Sequence, residues 1–310
     1  MKKIIVFLII LCAATAKGQK SAQELLTLAN QLYNNKQYAE ALPIYSEMIK
    51  VAPNNATGYY NRAQCYFYTE KFDLAISDYS KTVTLSPSYV NGYFQRGLTY
   101  NKTGKQDLAI QDYSKALTLA PTDEQLYYNR GISYNDKNIL DSALKDYTKA
   151  ISLNPKYTKA YINRSSVYFK QKQYNLALFE CNKALNLEPT NYQALNNRGL
   201  IYAALNEFDL ALADYNQALK LYPDTKKVYL DRGILYNKKK QNDLAISDLT
   251  YALRLDPAYW NALVTRAAIY YDLKSYYLAK DDLEQVLKIV PNQKFASDYL
   301  LKINTLLKQN

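Results

Sequence analysis

Between residues 90 and 123 the apolar and small side chains recur at helical spacing twice over. Tyr93, Arg96, Gly97 and Tyr100 stand three, one and three residues apart and line one side of a first helix; Leu108, Ala109, Tyr113 and Ala116 line a second. Gly104 and its polar neighbours form the turn between them. Pro121 stops the second helix, because proline has no backbone donor and restricts the residue before it. The same sentence is then copied along the chain. Pro53, Pro87, Pro121, Pro155, Pro189, Pro223, Pro257 and Pro291 each lie 34 residues after the last, and only Pro43 is off the period. Counting back from each proline gives units 22–55, 56–89, 90–123, 124–157, 158–191, 192–225, 226–259 and 260–293. A unit this small cannot bury its own apolar face, so neighbours must stack into a continuous, open-ended core. The pattern therefore predicts one elongated all-α array, where 310 residues alone would suggest about two globular domains.

Small residues recur where the two helices of a unit should approach most closely. Ala63, Gly97, Gly131, Ser165, Gly199, Gly233 and Ala267 hold that station in the first helix. Ala75, Ala109, Ala143, Ala177, Ala211, Ala245 and Ala279 hold it in the second. A glycine in mid-helix costs about 1 kcal/mol against alanine, so packing has to be its reason. The run Tyr93-x2-Arg96-Gly97-x2-Tyr100, then Ala109-x3-Tyr113, then Pro121 resembles the tetratricopeptide repeat at every spacing, and the resemblance extends over residues 22–293. It departs from the family's habit in having Tyr or Leu for Trp, and Arg for Leu. The resemblance implies an α-solenoid, a right-handed superhelix of eight helix-turn-helix repeats. The first unit diverges most, with Ala29 and Leu32 replacing the small residue and tyrosine. Residues 294–310 carry Phe295, Tyr299, Leu300, Ile303 and Leu306 at helical spacing and predict a closing helix.

Two charged columns share the period. Arg62, Arg96, Arg130, Arg164, Arg198, Arg232 and Arg266 form one; Asp78, Asp112, Asp146, Glu180, Asp214, Asp248 and Asp282 form the other, 16 residues on in each unit. The arginines share a helix face with packing tyrosines, so they should be partly buried and need a carboxylate. The first unit lacks both members, having Leu28 and Ile44 instead. Pairing between units would leave Arg62 facing Ile44 and Asp282 facing Leu300, so pairing within each unit is expected.

Composition narrows the function. No histidine is present, which removes the commonest general base and metal ligand. No enzyme activity, cofactor or metal site is expected. Cys65 and Cys181 belong to different units and read as small buried residues, not as a disulfide. At the start of the chain, Lys2 and Lys3, the apolar run Ile4 to Leu11 and Ala14-Thr15-Ala16 have the layout of a cleaved secretory signal, assigned to residues 1–18. The run is too short to span a membrane. A lipoprotein through Cys12 is disfavoured by bulky Leu11 directly before it. The formal charge of +11 falls by two without Lys2 and Lys3, and the lysine run 238–240 reads as a solvated loop. An exported protein, periplasmic or extracellular, is expected, with no nucleic-acid partner.

The resemblance places the first helices on the concave side. There, Asn61, Gln95, Asn129, Asn163 and Asn197 form a column of amides that can bond an extended peptide backbone without demanding its sequence. Ordinary solvated helix surface is the competing reading. Tyr60, Phe94 and Tyr128 run beside the column, and Phe67, Tyr68, Phe169, Asn101, Asn135 and Asn237 lie farther along the same helices. Tyr66, Tyr100, Tyr134, Tyr168, Tyr202, Tyr236 and Tyr270 are expected to pack between helices. The groove lacks the lysine and asparagine clamp with which some family members hold a C-terminal carboxylate. Together these features point to a scaffold or adaptor that binds protein segments in a bacterial cell-envelope assembly. The alternative is recognition of polysaccharide or peptidoglycan by the same tyrosines and amides.

Overall fold

The computed structural model describes residues 20–309, so the expected signal segment 1–18, with Cys12, lies outside the described residues. Among the described residues there are seventeen α-helices and no strand. The chain divides after Pro155 into two compact units.

The first unit holds four helix pairs: α1 (Ala22–Asn34) with α2 (Tyr38–Val51), α3 (Ala56–Tyr68) with α4 (Phe72–Leu85), α5 (Val90–Lys102) with α6 (Gln106–Leu119), and α7 (Glu124–Asp136) with α8 (Leu140–Leu153). Each helix packs on its partner, and each second helix packs on the first helix of the next pair. The chain enters α1 through a capping box, in which Ser21 Oγ accepts from the Glu24 amide while Glu24 accepts from the Ser21 amide. Pro43 lies inside α2 without ending it.

The turn inside each repeat is built alike. The amide of Lys105 donates to the carbonyl of Tyr100 at 2.8 Å, closing the last turn of α5, and Gly104 sits between at φ +72°. This is a left-handed helix stop. In the first unit the equivalent residues are Lys36, Glu70 and Asn138, with φ between 59° and 60°. At the far end of each repeat the second helix finishes two residues before the periodic proline, as α6 does at Leu119 before Pro121.

The core repeats with the chain. Tyr45, Tyr79, Tyr113 and Tyr147 on the second helices are fully buried, and burial of a side chain this large contributes about 2 kcal/mol or more. Across from Tyr113 stands Gly97, where an added Cβ would lie 2.7 Å from the ring. Glycine is required there by the close approach, despite its helix cost. Ala29 and Ala63 hold the same station against Tyr45 and Tyr79.

The second unit holds α9 (Thr158–Lys170) with α10 (Tyr174–Leu187), α11 (Tyr192–Ala204) with α12 (Phe208–Leu221), α13 (Lys226–Lys238) with α14 (Asn242–Leu255), and α15 (Trp260–Asp272) with α16 (Tyr276–Ile289). A closing helix, α17 (Lys294–Gln309), packs on α16. Its Ala296 and Ile303 join Ala279, Leu283 and Val286 in one apolar cluster, flanked by Phe295, Tyr299 and Leu300. In this unit the core station of the second helix varies: Cys181, Tyr215, Leu249 and Leu283. Its partner varies in step. Gly199 faces Tyr215, while smaller Cys181 is met by Ser165, whose hydroxyl lies 3.3 Å from the sulfur.

Candidate functional site

The structure brings together the arginine and the acid of each repeat. Arg62 Nε and Nη2 donate to the two carboxylate oxygens of Asp78 at 2.7 and 2.8 Å. Arg96 with Asp112, Arg130 with Asp146, Arg198 with Asp214, Arg232 with Asp248 and Arg266 with Asp282 repeat this side-on fork. In repeat five the acid is one methylene longer, and both Glu180 oxygens accept from Arg164 Nη2 at 2.8 Å. The acids are the buried partners: Asp146 is 4% exposed and Arg130 19%. The Asp78 hydrogen bonds hold the Arg62 guanidinium above its ordinary range.

A third contact escaped the sequence reading. Arg62 Nη1 donates to Ser46, Arg96 to Ser80 and Arg130 to Ser114, each in the preceding repeat. Arg198 reaches Asn182, Arg232 reaches Asn216 and Arg266 reaches Thr250 in the same way. The signal was present as a polar column at the same period. Each of these six arginines thus closes its own hairpin with a charged fork and ties it to its neighbour with a neutral bond. Tyrosines three residues before and four after flank several of these guanidinium groups, as Tyr93 and Tyr100 do Arg96, at 5.8 and 5.9 Å. Tyr66, Tyr100, Tyr134, Tyr202, Tyr236 and Tyr270 are therefore half-buried walls of the ion-pair ladder.

The first helices of neighbouring repeats touch along one face: α1 with α3 and α5 with α7 in the first unit, and α9 with α11, α11 with α13 and α13 with α15 in the second. On this face Asn61, Gln95, Asn129, Asn163 and Asn197 are all half-buried. Part of their hydrogen-bonding capacity is spent within the protein. Asn61 Nδ2 donates to Asn30 Oδ1 at 3.0 Å, Asn129 Nδ2 to the Gln125 carbonyl at 2.7 Å, and Asn197 Nδ2 to Ser166 Oγ at 3.0 Å. Asn101 is spent more fully, donating to the Tyr113 hydroxyl and accepting from Ser133. Tyr60, Phe94 and Tyr128 lean on the core tyrosines Tyr79, Tyr113 and Tyr147, with ring centroids 5.8 to 6.1 Å apart. They are half-buried and packed against the core.

Asn101 thereby gives the buried Tyr113 hydroxyl a partner. Its station is Phe67 in repeat two and Ala203 in repeat six, and there the buried hydroxyls of Tyr79 and Tyr215 have no partner.

The period of the first-helix face breaks once in the second unit. The column that runs Tyr60, Phe94, Tyr128, Ile162 continues with Asn196, and the amide column continues from Asn197 to Asp231. Both substitutes are buried, Asn196 at 2% exposure and Asp231 at 9%. They bond each other, Asn196 Nδ2 donating to Asp231 Oδ2 at 2.8 Å. Burial raises the Asp231 pKa, although the Asn196 bond and the Lys227 charge both pull it down. A cleft of about 210 Å³ opens beside this pair, with Asn163, Ser166, Gln193, Asn196, Asn197 and Lys227 in its wall. A second, of about 250 Å³, adjoins it across Ser166, Asn197 and Lys227 and is floored by Phe169, Leu200 and Ile201. Neither Asn196 nor Asp231 was among the residues expected at the site, yet an amide in an apolar column and an acid in an amide column are visible in the sequence.

Burial pushes the Cys65 thiol up to about 12 and the Cys181 thiol up to about 11, so both are protonated, unreactive core residues. Among the described residues no group of three or more His, Cys, Asp or Glu side chains could hold a metal ion, and no helix is long and apolar enough to cross a membrane.

Comparison with known proteins agrees with this geometry. One tetratricopeptide repeat profile matches residues 56–89, 125–157 and 192–225, a second matches residues 158–191, and a further TPR repeat profile matches residues 97–137. Serine/threonine-protein phosphatase 5 from Mus musculus is 36% identical over 72 residues, 21% of this chain; the chain spans 14% of that protein's length. Among solved structures, a tetratricopeptide repeat protein from Parabacteroides merdae superposes with a TM-score of 0.70 at 18% identity, covering 81% of this chain and 98% of its own. The APC/C hetero-tetramer Cut9-Hcn1 superposes with a TM-score of 0.66 at 23% identity, covering 90% of this chain and 55% of that one. At such identities the structures speak for the fold alone. With two helices per 34 residues, the periodic small residues and prolines, and profile matches along most of the repeats, the chain belongs to the tetratricopeptide repeat family.

Proposed function

We propose that this protein is a non-enzymatic scaffold that holds extended segments of partner proteins on its first-helix face, as part of an assembly in the bacterial cell envelope. Arrays of this family are typically non-catalytic and bind proteins. The observation that carries the reading is the meeting of first helices along one face in each unit, with half-buried amides recurring there every 34 residues. Amides present both donors and acceptors, so a regular row can follow a peptide backbone. Those that bond within the protein still have atoms to offer: Asn129 Nδ2 binds its own helix, leaving the carbonyl of the side chain. Export rests on the signal-like layout of residues 1–18.

Affinity capture from an envelope extract tests the reading when run with the full chain and with Asn163→Ala plus Asn197→Ala. A protein partner retained by the parent chain and lost from the variant supports it. Retention of polysaccharide alone, unaffected by the substitutions, removes it.

A further inference from the structure

The geometry points to one recognition site within the first-helix face of the second unit, where repeats five to seven take an extended peptide that places an apolar side chain beside an acidic one. This rests on the scaffold reading and narrows it to a place and a ligand chemistry. Three observations converge. The first is an orphan acceptor: Asn196 is 98% buried, its Nδ2 is committed to Asp231, and its Oδ1 has no partner. A buried carbonyl without a donor is costly, and a ligand that brings an N–H recovers that cost. The Asp231 carboxylate also fixes which way the amide faces, because only Nδ2 can donate to it.

The second observation is size. The two adjoining clefts measure about 210 and 250 Å³, below the roughly 300 Å³ at which pockets begin to enclose a whole small molecule. Each suits one side chain of a chain lying across both. The cleft floored by Phe169, Leu200 and Ile201 takes the apolar one.

The third is charge. Lys227 borders both clefts and Lys170 borders the apolar one, while no Asp or Glu lines either. Asp231 lines neither cleft and is already hydrogen-bonded to Asn196. Lys227 is exposed, acts on Asp231 through its charge without a hydrogen bond to it, and stands where a carboxylate following the apolar residue would meet it. A lysine or arginine side chain would instead face repulsion at this rim.

Selection of a random dodecapeptide display library on the full chain tests the inference. Peptides with Asp or Glu next to a large apolar residue are expected to be enriched. Fluorescence anisotropy on one enriched peptide should show about tenfold weaker binding to Lys227→Glu, since reversal turns an exposed attraction into a repulsion. Circular dichroism of Lys227→Glu should match the parent, because the residue is exposed. Enriched peptides that lack the acid, are rich in Lys and Arg, or bind Lys227→Glu equally well overturn the inference. If such peptides still lose affinity for the Asn163→Ala, Asn197→Ala variant, the scaffold reading stands without it. Enrichment of no peptide overturns both.

Discussion

At the scale of single residues, Arg130 shows what the repeated ion pair does. Its guanidinium neutralises Asp146, which is nearly buried, and reaches Ser114 in the preceding repeat. Removing the cation alone leaves a buried carboxylate uncompensated. Arg130→Ala is therefore expected to cost about 3–5 kcal/mol in urea denaturation, whereas a loss under about 0.5 kcal/mol would mean a dispensable surface pair. Arg130→Met combined with Asp146→Leu should recover most of the loss, because an apolar pair has no charge to desolvate. Asp231 behaves differently, having an amide and no arginine. Its burial-raised pKa means that the carboxyl gives its full stability below the ordinary value of 3.8 and loses it as pH rises through the elevated one. Asp231→Asn should accordingly raise the melting temperature at pH 7 and make no difference near pH 3. An unchanged melting temperature at pH 7 would contradict a desolvated carboxylate there.

Helix ends carry the argument at the next scale. All eight intra-repeat turns place one residue in the left-handed region, and seven of the eight are not glycine: Lys36, Glu70, Asn138, Lys172, Asn206, Lys240 and Lys274, with φ from 58° to 65°. The turn is imposed by packing of the helix pair, since local preference alone would select glycine. Nothing lies within 4 Å of where a Cβ at Gly104 would stand. Gly104→Ala thus isolates the backbone contribution and should cost about 1 kcal/mol. Lys240→Gly should stabilise by about 0.5–1 kcal/mol. Equal and opposite signs are the check, read by chemical denaturation of both variants; a neutral Gly104→Ala would show that the turn is relaxed. Helix existence and length were legible from the 34-residue pattern, down to the proline that follows each pair. The left-handed residue in most turns was not, because Lys, Glu and Asn at these places look like ordinary polar loop.

For the whole molecule, stability is a sum of repeat energies and interfaces between neighbours, so the end of the array is a weak point unless covered. In the second unit α17 provides the cover, burying Leu283 and Val286 with Ile303. Deleting residues 294–310 exposes that face. Hydrogen exchange should then quicken first in α15 and α16, while α9 to α12 keep their protection. Uniform loss of protection across the second unit would show that its repeats unfold as one block and that α17 is not a local cap.

Everything that repeats could be read along the chain: the helix pairs, the small residues that let them touch, the prolines that end them, and the arginine and acid stationed 16 residues apart. Periodic side chains answer to one local geometry, so a single unit reveals them all. Contacts between neighbouring repeats were set by the folded packing. Asn61 with Asn30, Asn197 with Ser166, Ser133 with Asn101 and Asn196 with Asp231 join residues 31 to 35 apart. Whether such residues meet depends on how far each hairpin turns against the next, a quantity set by the packing of whole helices and written in no single motif. For that reason the amides of the first-helix face looked uniform in sequence, while in the folded chain Asn61, Asn129 and Asn197 each bond a different kind of partner and one pair, Asn196 with Asp231, stands apart.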